Sequence, residues 1–290
     1  MDPLNLVNLP ELMDRTGGRA DIAIGLIDGP IAKNHAGLAG ARLRDVGPKQ
    51  TNCSLTRDMA CRHGTFVAGM LCGDPRSGAP SICPDCTLLV RPIFPSSDQA
   101  DVTPSAEPEE LAAAIADCTA AGASVLNLSV SVGSSSTAGE KALKEALDHV
   151  TRKRVLVVAA TGNEGTIYSS AITRHPWVIP VTACDLTGRA LGLSNLSPTL
   201  GRRGLTAPGD HIASLGPSGN LVKLSGTSFA VPFVTGTIAL LWSAFPNASA
   251  ADIRMALVPQ TGRRTTIIPP LLNAVAAYHL LSATHARMSA

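Results

Sequence analysis

Aromatic side chains are scarce in this chain: five Phe, two Tyr and two Trp make up 3% of its 290 residues. So few rings exclude the stacking platforms on which single-stranded nucleic acids are held. A formal net charge of +2, with basic residues scattered, offers no counterpart to nucleic acid or to an anionic membrane. The N-terminal residues have neither a basic start nor a long hydrophobic stretch, so no signal-peptide pattern is visible. A cytoplasmic protein is therefore expected, a secreted mature fragment being the alternative. No internal repeat and no long linker divides the chain. What is abundant is apolar character, 45% of residues, which excludes disorder and suffices for one large α/β domain or two small ones.

Seven cysteines, an odd number, guarantee at least one unpaired thiol in a monomer. Cys83-Pro84-Asp85-Cys86 has the spacing of half a zinc knuckle, but no second close Cys or His pair accompanies it. It leads into a strand rather than a helix, which does not suit a reactive redox pair. A disulfide, local or longer-range, and simple free thiols both stay open. Asp98 and Asp101 are the acidic residues of a Pro- and Ser-rich loop, without the run of oxygen ligands that calcium requires. No metal or other cofactor is expected.

The chain is organised around Ser225-Gly226-Thr227-Ser228-Phe229-Ala230-Val231-Pro232, where a small flexible approach turns into an apolar helical run. Ser228 falls at a helix N-terminus, whose amides lack intrahelical partners and favour an anion forming beside the hydroxyl. Pro232 is expected in the first turn, where a missing N–H does no damage. By itself the stretch fits a buried helix with a capping serine equally well. Two further stretches decide between these. Residues 21–28 form an apolar run ending in Asp28 and a Gly29-Pro30 turn, and Cys61-Arg62-His63-Gly64-Thr65 places an imidazole at the start of another apolar helical segment. The order Asp, His, Ser is the one that subtilisin uses for its catalytic triad.

Ile27-Asp28-Gly29, His63-Gly64-Thr65, Ala160-Thr161-Gly162-Asn163 and Gly226-Thr227-Ser228-Phe229-Ala230 together resemble the four signatures of the subtilisin-like serine proteases. The resemblance runs from about residue 21 to about residue 257. The variants Leu26-Ile27-Asp28-Gly29-Pro30 and Val90-Arg91-Pro92-Ile93-Phe94 are similar to those of the proteases that trim leaders in cyanobactin-type peptide maturation. It implies a single subtilisin-like α/β domain over residues 21–290, with 1–20 as an N-terminal extension, and a mainly parallel sheet with helices on both faces. It implies Asp28, His63 and Ser228 as catalytic, with the Asn163 amide and the Ser228 N–H as the oxyanion hole. An extended peptide would add as a strand between Ser129-Val130-Ser131 and residues 95–104. Ala160, Thr161, Gly162 and Glu164 would line the pocket for the residue before the cut, with Glu164 at its mouth favouring a basic side chain. The family commonly has glycines where this chain has Ser131 and Val132, which crowds that edge. The pro-segment usual in the family has no room before Asp28, so a mature fragment or a protease working without one is implied.

The remaining pattern fills in the frame. Buried strands are expected at 21–28, 87–94 and 124–129, and further strands at 154–160, 177–184 and 204–215. Helices are expected at 63–72, at 109–121, from a Thr137-to-Glu140 capping box onward, after Ser249 with Asp252, and at 271–281. Residues 32–58, with His35 and Asp45, are expected to be irregular.

The function expected is a serine endopeptidase trimming a leader from a precursor peptide. A catalytically silent peptide-binding pseudoprotease and a transpeptidase or macrocyclase are the alternatives. Related macrocyclases carry a helical insertion between the Asp and His motifs, for which 28–63 is short. Cys61, two residues before His63, suggests inhibition by thiol reagents, an inert loop cysteine being the alternative.

Overall fold

Six consecutive buried positions, Ala23–Asp28, form β1, as an unbroken apolar run in a parallel sheet should. The computed structural model describes residues 2–48, 52–53, 58–94, 105–132, 137–258 and 266–288, so the expected substrate edge at 95–104 and Asp98 and Asp101 lie outside the described residues. After β1 come β2 (Arg42–Asp45), β3 (Thr87–Pro92), β4 (Ser105–Ala106), β5 (Val125–Leu128), β6 (Ser131–Val132), β7 (Leu156–Ala160), β8 (Val178–Cys184), β9 (Leu205–Pro208), β10 (Ile212–Leu215) and β11 (Leu221–Leu224). Seven of them make one parallel sheet in the order β2-β3-β1-β5-β7-β8-β9. The order reverses on either side of β1, so a crevice opens at its C-terminal end, where open α/β sheets bind their ligands.

Helices cover both faces. They are α1 (Pro3–Leu6), α2 (Pro10–Arg15), α3 (Met59–Cys72), α4 (Pro108–Ala120), α5 (Thr137–Lys153), α6 (Ala171–Arg174), α7 (Pro198–Arg203), α8 (Thr227–Ala244), α9 (Ala250–Leu257) and α10 (Ala274–Met288). Helices α4 and α5 pack on one face, and α3 and α8 on the other, each face with its own apolar core. Helix α8 is long and apolar enough to cross a membrane, yet 89% of it is buried inside the protein. Val7, Leu9 and Leu12 belong to the larger core, so the N-terminal residues are packed into the domain.

Several expectations need correction. Helix α3 starts at Met59 with Asp58 as its cap, so His63 lies in the second turn rather than at the start; the Asp58 carboxylate accepts from the Ala60 N–H. Pro232 lies inside α8 rather than in its first turn. Within 32–58, β2 appears as a polar edge strand, whose exposed side chains leave no apolar run to read. His35 caps a short 3-10 turn, Ala36–Leu38. Asp45 ends β2 and pairs with Lys33. Strands β10 and β11 form an antiparallel hairpin within and beyond the stretch expected as one broken strand. Helix α9 does begin with the Ser249 and Asp252 capping box.

One polar group lies deep in this packing. Arg91 on β3 is 2% exposed, and its guanidinium donates to Asp117 and Glu110, both at 2.8 Å, and to the Pro92 carbonyl. Removing both carboxylates would strand a buried cation, which costs about 3 kcal/mol or more. Glu110→Gln combined with Asp117→Asn should therefore lower the unfolding free energy by about that amount in urea titration. An unchanged midpoint would show that the carboxylates do not hold Arg91.

Candidate active site

Asp28 is the last residue of β1 and is fully buried. Its Oδ1 accepts from the Gly29 N–H at 2.6 Å and meets His63 Nδ1 at 2.7 Å. A carboxylate that only accepts puts the proton of this contact on Nδ1, so Nε2 is the ring nitrogen left to act on a second partner. The glycines that follow the two residues explain how they meet. A Cβ on Gly29 would lie 2.0 Å from the Ala60 carbonyl oxygen, and one on Gly64 would lie 2.5 Å from the Gly29 oxygen. Only bare backbone lets the turn after β1 come this close to α3. Thr65 adds to the junction by accepting from the Ala32 N–H at 2.9 Å.

A disulfide joins Cys53 to Cys61, with Cα atoms 5.6 Å apart, and Cys53 N–H donates to the Ile31 carbonyl. It ties the loop after Asp28 to the first turns of α3. Cys61 is thus buried and oxidised, and offers no thiol for reagents to modify, contrary to expectation. Cys72, Cys83, Cys86, Cys118 and Cys184 are unpaired and buried, and burial pushes the Cys118 and Cys184 thiols up to about 12. Among the described residues no three His, Cys, Asp or Glu side chains are grouped to hold a metal ion.

Ser228 is the second residue of α8, after Gly226, whose φ of 150° only glycine adopts readily. Its N–H belongs to the first turn, at the positive end of the helix dipole. In this arrangement the Ser228 hydroxyl donates to the Ser129 carbonyl at 3.3 Å. A hydroxyl has one proton, so rotation of the side chain is needed to direct it to His63. The imidazole is backed by Phe229, with centroids 5.1 Å apart, and Phe229 in turn rests on Phe66.

Asn163 lies against the first residues of α8. Its Oδ1 accepts from both the N–H and the hydroxyl of Thr227, each at 2.9 Å, which leaves the Nδ2 hydrogens to face elsewhere. Nδ2 lies 3.3 Å from where a Cβ on Gly226 would be, beside the start of α8. Sequence reasoning missed Thr227 as the residue that orients this amide, although its place between Gly226 and Ser228 is the signal.

Val130, Ala160, Thr161, Gly162 and Glu164 surround one pocket of roughly 60 Å³, together with Tyr168, Ser170, Ile172 and Asn195, which were not anticipated. Glu164 is exposed, and its carboxylate accepts from Asn195 Nδ2, while the Thr161 hydroxyl is buried without a partner. Asn195 comes from the loop after β8, far along the sequence, and no local motif announces it. Ser129 and Val130 precede β6, whose Ser131 and Val132 pair directly with Ser105 and Ala106. Strand β4 lies along one edge of β6; the other side of the expected peptide site, 95–104, is outside the described residues.

An acid on the first strand, an imidazole on the next helix and an alcohol at the start of a late helix, carried on a parallel α/β sheet, are the components of a serine hydrolase. A family model described as the subtilase family matches residues 19–272. Subtilisin DY of Bacillus licheniformis is 32% identical over 243 residues, 81% of either chain. Subtilisin amylosacchariticus of Bacillus subtilis subsp. amylosacchariticus is 27% identical over 256 residues, 87% of this chain and 63% of that one. Among solved structures, the patellamide maturation protease PatA matches with a TM-score of 0.74 and 31% identity, over 92% of this chain and 98% of that one. The prenylagaramide maturation protease PagA matches with a TM-score of 0.80 and 28% identity, over 94% and 98%. The chain belongs to the subtilase family and is a subtilisin-like serine endopeptidase.

Since the junction of β1 and α3 depends on two glycines, Gly64→Ala should cost about 3 kcal/mol of stability by forcing the two backbones apart. Urea unfolding measures it, and a variant as stable as the parent would show that the approach is not tight.

Proposed function

We propose that Asp28, His63 and Ser228 form the catalytic triad and that the substrate is a precursor peptide from which a leader is trimmed. The observation that carries the first part is the 2.7 Å contact between His63 and a fully buried Asp28, with the imidazole resting on Phe229, the residue after a serine at a helix N-terminus. His63 Nε2 takes the Ser228 proton as the oxygen attacks the scissile carbonyl, and Asp28 holds the tautomer and stabilises the imidazolium. The oxyanion is received by Asn163 Nδ2 and the Ser228 N–H. The imidazolium then protonates the leaving amine, and water, activated by the same nitrogen, cleaves the acyl-enzyme.

The peptide adds as a strand along Ser129, Val130 and Ser131, on the edge of β6 away from its pairing with Ser105 and Ala106. The side chain before the cut fills the pocket beside Glu164, a carboxylate that favours a cationic end there. The likeness to PatA and PagA, both described as maturation proteases, supports the leader-trimming role.

A fluorophosphonate should label the protein at Ser228, and Ser228→Ala should abolish labelling. Asn163→Ala should keep the label but slow turnover by about a hundred- to a thousandfold, the loss seen when subtilisin is deprived of its equivalent amide. An unlabelled parent would assign peptide binding without catalysis. A dominant cyclic product by mass spectrometry would assign transpeptidation.

A further inference from the structure

Within an α-helix each amide donates to the carbonyl four residues earlier, and Pro232 has no N–H to give. The carbonyl it releases is that of Ser228. The structure satisfies this acceptor from outside the helix: the Ser129 hydroxyl donates to the Ser228 carbonyl at 2.9 Å. Behind Ser129 stands Asn127 of β5, whose Nδ2 donates to the Ser129 hydroxyl oxygen at 2.9 Å. Behind Asn127 stands Thr235, two turns along α8 from Ser228, whose hydroxyl donates to Asn127 Oδ1 at 3.0 Å. All three side chains are buried: Asn127 and Thr235 are 0% exposed, and Ser129 is 3% exposed.

We infer that Thr235 and Asn127 are positioning residues for the nucleophile, aiming the Ser129 hydroxyl at the carbonyl that Pro232 frees. The inference rests on Ser228 being the nucleophile. The chain of donors has one sense, from Thr235 to Asn127 to Ser129 to Ser228. With a proton arriving on Oδ1, the Asn127 amide is fixed with Nδ2 toward Ser129, so the Ser129 proton goes to Ser228. Without that proton the amide is free to turn its oxygen to Ser129 and draw the proton away, so that the part-buried Ser228 carbonyl loses the Ser129 donor. The backbone that carries both the attacking oxygen and one oxyanion donor would then shift, and sub-ångström placement of those groups governs the rate.

Thr235→Val keeps the shape and removes the hydroxyl; Thr235→Ser keeps the hydroxyl. Peptide turnover per phosphonate-titrated active site should fall about tenfold in Thr235→Val, the loss of one buried hydrogen bond, with KM unchanged. Thr235→Ser should restore kcat. The rate constant of Ser228 phosphonylation should follow kcat, whereas a merely structural role would lower the unfolding midpoint and leave the rate per active site intact. If Thr235→Val fails to fold, Ser129→Ala carries the test, because it removes the donor yet keeps the Ser129 carbonyl, and the same loss of kcat is expected. Parental kcat in the folded variant, or a Thr235→Ser as slow as Thr235→Val, overturns the positioning role while Ser228 still labels. A parent that is not phosphonylated at Ser228 overturns the nucleophile assignment and this inference with it.

Discussion

Two backbones approach each other more closely than any side chain would allow, and the hydrogen bond from His63 to Asp28 depends on it. Gly29 and Gly64 are the residues in contact there. Their bareness lets the end of β1 and the second turn of α3 share one space, so that a buried carboxylate and an imidazole meet at 2.7 Å. The Cys53–Cys61 disulfide and the Ala32 to Thr65 hydrogen bond hold the same junction from its outer side. A buried carboxylate is costly to desolvate, and here the Gly29 amide and the ring both bond to Oδ1, while Oδ2 is buried with no hydrogen-bond partner.

The third component arrives by a different device. Helix α8 crosses under β5, β7, β8 and β9, and its N-terminus emerges at the crevice beside β1. Everything around Ser228 then follows from two local irregularities of that helix. Gly226 opens it in a backbone geometry foreign to other residues, and Pro232 frees a carbonyl within it. Groups from outside the helix answer both: Asn163 takes the Thr227 amide, and Ser129 supplies the missing donor for Ser228. The Asn163 amide and the Ser228 residue are thus held by the same turn.

Much of this was legible in the sequence, for physical reasons that can be named. The buried strands show as unbroken apolar runs, and the motifs around Asp28, His63, Asn163 and Ser228 are short because each records a local backbone demand. What escaped was of two kinds. Edge strand β2 is polar and carries no run to read. Partnerships such as Thr235 with Asn127, or Asn195 with Glu164, join residues far apart in the chain, so nothing at either end signals them. The start of α3 at Met59 was misplaced because Asp58, its cap, lies outside the apolar segment that marks the helix. Cys61 could be counted as a thiol but not paired, since the position of Cys53 relative to α3 is a product of the fold.

The central claim is geometric: Ser228, His63, Asp28 and Asn163 act on one carbonyl carbon. A crystal structure of the protein carrying a covalent phosphonate tests it most directly. The account predicts the phosphonate on Ser228 Oγ, its phosphoryl oxygen within about 3 Å of both Asn163 Nδ2 and the Ser228 N–H, and His63 still bound to Asp28. A phosphoryl oxygen turned to solvent, or an imidazole parted from Asp28, would contradict it.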